Sequence, residues 1–138
     1  MKRTYYVLLV VIALIIVPLS HAATSIAQET TPLAVAEASI CRDVVNRQPI
    51  GAGYSFEASV GKLVCFTKIT GAQSPAQISH VWYFGDVERA TVTLSVRSSS
   101  WRTYSSKRIQ PHEIGDWRVD VLGPGGEILG TLQFKISP

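Results

Sequence analysis

The sequence predicts an all-β chain, an immunoglobulin-like antiparallel β-sandwich of about seven strands, and three observations carry that prediction. β-branched and aromatic residues fall into short runs, turn residues interrupt them roughly every 10 to 15 positions, and no segment beyond the N-terminal stretch repeats at helical period. A small closed β-barrel made from the same strands is the alternative.

Residues 1–22, MKRTYYVLLVVIALIIVPLSHA, read as a signal peptide. Lys2 and Arg3 precede an apolar run from Tyr5 to Val17, Pro18 breaks it, and Ser20 and Ala22 put small residues at the two positions a signal peptidase reads. The run falls short of the roughly 18 to 20 apolar residues of a spanning helix, which makes an uncleaved inner-membrane anchor the weaker reading. Periplasmic or secreted localisation follows, with residues 23–33 a flexible leader and residues 34–138 one sandwich domain.

The strands follow in order. AVAEASICRDVV is the first, and Asn46 to Gly51 form its exit. KLVCFTKI, ISHVWYFG and TVTLSVR come next, the last with Val92, Leu94 and Val96 inward and Thr91, Thr93 and Ser95 outward. WRTYSSKRI is the fifth. DWRVDVL sets Trp117, Val119 and Val121 on its inward face, and Gly123-Pro124-Gly125-Gly126 turns it into ILGTLQFKI. There Ile128, Leu132, Phe134 and Ile136 share a face.

Charge excludes one function class. Thirteen Lys plus Arg become eleven once Lys2 and Arg3 are removed, and all ten acids lie downstream, so the mature chain carries about +1 and the pI near 9.0 overstates its basicity. A balanced exported domain is a poor nucleic-acid binder. Two cysteines remain in an oxidising compartment. Strands carrying Cys41 and Cys65 that pair about a turn near Gly53 would allow a disulfide, stabilising by about 3 kcal/mol; the other reading is two small buried core residues.

Chemistry-bearing residues concentrate in WRTYSSKR, residues 101–108, which has no clean apolar face. Trp101, Thr103, Ser105 and Lys107 alternate with Arg102, Tyr104, Ser106 and Arg108. One reading is a binding patch: Trp101 and Tyr104 stack on a ligand, Arg102 clamps a carboxylate, and Ser106, Lys107, His80 and Trp82 complete the site. In the other, Trp101 closes the core and Arg102 pairs with Asp116 or Asp120. A Ser-Lys or Ser-His hydrolase site using Ser105, Ser106, Lys107 or His80 is the enzymatic alternative, but strand spacing does not bring such pairs together as a helical turn does. The two histidines of the mature chain, His80 and His112, lack metal-ligand spacing, so no metal or other cofactor is expected.

Arg47-Gln48-Pro49, Gly61 to Thr67, Ile78 to Tyr83, Trp101 to Lys107 and Gly115 to Val119 occur in an order that resembles the bacterial family catalogued as Domain of Unknown Function 2914. The likeness covers roughly Ala34 to Ile136. It implies an exported or envelope β-domain and supplies no catalytic residue. The expected function is a non-catalytic binding or interaction module of the cell envelope, with a polysaccharide, peptide or envelope protein as partner and no stable membrane span after signal cleavage.

Overall fold

Alternating strands with one apolar face must bury that face against another sheet, and the chain does so in two layers. The computed structural model describes residues 23–24 and 32–138, so the expected signal peptide and most of the expected leader lie outside the described residues. The strands are β1 (Ala34–Cys41), β2 (Asp43–Val45), β3 (Gln48–Ile50), β4 (Ser55–Glu57), β5 (Lys62–Thr70), β6 (Ala76–Phe84), β7 (Val87–Val96), β8 (Ser100–Arg108), β9 (Gly115–Leu122) and β10 (Ile128–Ser137). A sheet ordered β1-β5-β8 packs on a sheet ordered β4-β10-β9-β6-β7, and β2 and β3 form a separate hairpin. The open sheets exclude the barrel and give the expected β-sandwich.

Three short strands escape the sequence reading. Arg42 separates β2 from β1, and Asn46 and Arg47, both at positive φ, make a tight turn into β3. β4 lies beside β10 as a short parallel pair. The β9–β10 hairpin is as expected, but a bulge between Ile128 and Gly130 shifts the register there. Ile128 is therefore turned out to solvent while Phe134 and Ile136 remain inside.

The cysteine pairing expected from the sequence is not made, and both thiols are free and buried. β1 and β5 do pair antiparallel, but Ile40 stands opposite Cys65 and Cys41 opposite Val64. A one-residue offset sends the two side chains to opposite faces of the sheet. Cys65 enters the core between the sheets, whereas Cys41 packs with Val64, Phe66 and Val44 on the outer face. The alternative reading, two small buried side chains, is the one that holds, and burial raises both thiol pKa values above the ordinary range.

The space between the sheets holds two apolar clusters. One gathers Trp82, Trp117, Phe56, Phe134, Leu63 and Cys65, with Trp117 stacked on Phe134 at 5.9 Å and Trp82 edge-on to it at 6.2 Å. The other gathers Ile69, Ile78, Val96 and Val121, with Trp101 packed against it. β5 and β6 each step from one cluster to the other across a polar residue: Cys65, Thr67, Ile69 along β5, and Trp82, His80, Ile78 along β6.

Candidate functional site

The polar layer between the clusters comes from β5, β6 and β8. Thr67, His80 and Trp82 are fully buried and Ser105 is nearly so. His80 Nδ1 lies 2.8 Å from Ser105 Oγ, and His80 Nε2 lies 3.1 Å from Thr67 Oγ1. Trp82 Nε1–H donates to Ser105 Oγ at 3.0 Å, and the Thr67 hydroxyl donates to the Thr103 carbonyl at 3.3 Å. Only one tautomer gives every proton an acceptor. The Nε2–H of His80 donates to Thr67, and the Ser105 hydroxyl, itself accepting from Trp82, donates to Nδ1; the assignment rests on this network. Protonating Nδ1 would place a second donor against Ser105 and leave its hydroxyl proton without the acceptor it had.

Burial lowers the His80 pKa from 6.5 to about 4, in agreement with this neutral arrangement. A serine beside a histidine has the outward form of an activated nucleophile. Here both ring nitrogens are engaged, Ser105 already accepts the indole N–H, and the group lies between two packed sheets. Lys107, the other candidate base, directs Nζ to the Arg108 carbonyl at 2.8 Å. This geometry joins two sheets through a satisfied polar layer.

The β5–β8 register divides WRTYSSKR between two environments. Trp101 opposes Ile69, Thr103 opposes Thr67, and Ser105 opposes Cys65, so the polar set containing Trp101 is the inward one. Trp101 is half-buried against the second cluster, in keeping with its role as a core closure. Arg102, Tyr104, Ser106 and Arg108 form the outer face. Of the seven residues expected to share a binding patch, Arg102, Tyr104 and Ser106 share a surface; Trp101 and Lys107 turn to the other side of the sheet, and His80 and Trp82 are enclosed.

Glu37, Lys68 and Arg102 stand abreast across β1, β5 and β8, with Lys68 3.6 Å from Glu37. Ser39, Phe66 and Tyr104 form the next row, and Tyr104 is 54 % exposed. Arg102 does not reach Asp116 or Asp120. Those acids lie on the other sheet, where Lys135 and Arg118 hold them. The Arg102 Nε is buried without a hydrogen-bond partner among the described residues. Sequence reasoning missed Thr67 altogether and weighed Ser105 only as a nucleophile. The available signal was a polar residue, Thr67 on β5 and His80 on β6, at an inward position of two largely buried strands.

A model of the family described as "Protein of unknown function (DUF2914)" matches residues 75–136. The match covers a little under half of the chain, and over that stretch the chain is similar to this family. The stretch spans β6 to β9 and nearly all of β10, and so contains His80, Trp82, Ser105 and the whole of WRTYSSKR, while Thr67 and β1 to β5 precede it. No curated protein matches the chain. Among the described residues no helix is long and apolar enough to cross a membrane.

Proposed function

We propose that this chain is a non-catalytic binding module of the cell envelope, exported through residues 1–22, that recognises a carboxylate-bearing glycan, peptide or partner protein on the outer face of the β1-β5-β8 sheet. The observation that carries the reading is the pairing on β8 of a guanidinium that has no carboxylate partner among the described residues with a half-exposed phenol, on the same outer face of the sheet. A guanidinium fork takes a carboxylate, and a tyrosine ring stacks on the apolar face of a sugar or on a peptide side chain. An enzymatic reading requires substrate to reach Ser105 or Lys107, and the engaged hydrogen bonds of both favour the binding one.

Arg102→Ala and Tyr104→Ala test the proposal. Both variants keep a melting temperature within about 2 °C of wild type, because neither removes a core contact. Both lose capture on an acidic-glycan array and in an envelope pull-down. A fall of about 5 °C or more with capture unchanged assigns the two residues to structure and removes the binding reading.

A further inference from the structure

The end of the β5–β8 pair, at the edge of its sheet, concentrates positive charge. The register sets Lys62 directly opposite Arg108, and like charges so placed oppose strand pairing. Both side chains are exposed, and neither has a carboxylate partner among the described residues. The nearby buried acid, Glu113, is held by Arg89 and by the backbone N–H of Gln110. The two cations flank an open cleft of about 670 Å³ that Ser59, Ser106 and Gln110 also line. Its backbone is fixed: Gly61 turns at φ 75°, and its carbonyl accepts from Ile109 N–H at 2.9 Å.

Two cations, two hydroxyls and a carboxamide line this one open cleft, beside the apolar Ala58, Val60, Ile109 and Pro111. A planar carboxylate is satisfied by a single guanidinium fork, whereas the oxygens of a tetrahedral oxyanion point in several directions and can meet both cations and the surrounding hydroxyls. We propose that this cleft binds a tetrahedral oxyanion, a phosphate or sulfate, either free or as the ester of a lipid headgroup. Bound there, the anion relieves the Lys62–Arg108 repulsion. The inference goes beyond the Arg102–Tyr104 face, and it survives if that face binds nothing.

The test is a titration of the isotopically labelled protein with inorganic phosphate at constant ionic strength, read from backbone amide shifts. Saturable changes are expected at Ser59, Gly61, Ser106 and Gln110, with affinity reduced about tenfold or more in Lys62→Ala and in Arg108→Ala. Co-sedimentation with phosphatidylglycerol and with phosphatidylcholine vesicles separates the sources: retention on the anionic vesicles alone, lost in the double variant, names the headgroup, and a response to free phosphate without retention names the soluble anion. Lys62→Ala keeps or raises the melting temperature in chloride, and phosphate raises that of the wild type more than chloride does. Arg102→Ala/Tyr104→Ala retains the phosphate response whatever its glycan capture. Shifts spread over all basic residues, a response unchanged in Lys62→Ala/Arg108→Ala, or a fall in stability on removing Lys62 would each overturn the proposal.

Discussion

Acid is the sharpest perturbation of the layer that joins the two sheets. His80 titrates near 6.5 in the unfolded chain and at about 4 in the folded one. Between those values the unfolded state holds the extra proton, so stability is complete above pH 6.5 and declines as pH falls toward 4. At about 1.4 kcal/mol per pH unit the full contribution is about 3 kcal/mol, of which about 2 kcal/mol is gone by pH 5. That is a large share of the roughly 5–15 kcal/mol of a domain this size. The assay is urea unfolding followed by the fluorescence of buried Trp82 and Trp117, at pH 7 and pH 5, for wild type and His80→Gln. Glutamine retains a donor and an acceptor but does not titrate, so the difference between the two proteins isolates the imidazole from the carboxylates. Wild type is expected to lose about 2 kcal/mol more than the variant between the two pH values. Equal losses would refute both the burial of His80 and the neutral network built on it.

Ser105→Ala removes the acceptor of the Trp82 indole and the donor to His80 Nδ1, leaving two buried groups unpaired; a loss of about 2–4 kcal/mol in urea unfolding is expected, too large for a surface hydroxyl. Thiol titration of the denatured protein, with alkylation blocking oxidation, should count two free cysteines, and reducing agent should leave the melting temperature unchanged, because Cys41 and Cys65 face opposite sides of their sheet. Gly71 has φ 91°, and a Cβ there would collide with the Pro32 carbonyl, so Gly71→Ala should cost about 1–3 kcal/mol by thermal unfolding.

The strands were legible because their alternation is a property of one segment at a time. TVTLSVR has Val96 buried and Thr91, Thr93 and Ser95 exposed, and Trp117 enters the core as its neighbours Val119 and Val121 indicate. Properties that need two segments were not legible. Whether Cys41 faces Cys65 depends on a register one residue wide, and the short β4 is held by its parallel pairing with β10, whose partner residues lie 80 positions along the chain (Ser55 to Lys135). The inward face of WRTYSSKR was misread for a related reason. Thr103 and Ser105 look like surface residues until His80 and Thr67 are brought across from other strands to satisfy them. Polarity along one strand cannot tell a solvated face from one that closes a buried network. Arg102 and Tyr104 kept their assignment to a surface because nothing on the opposite sheet reaches them.

The proton on His80 Nε2 provides the most direct measurement of the central claim, that the Ser105–His80 pair is a sealed structural bridge. Long-range nitrogen–proton correlation spectra of the imidazole, recorded at pH 6 with exchange against water, should show a neutral ring with hydrogen on Nε2, a bare Nδ1, and a ring proton that exchanges far more slowly than an exposed histidine's. A charged ring, hydrogen on Nδ1, or rapid exchange with solvent would contradict the account and reopen Ser105 as a reachable nucleophile.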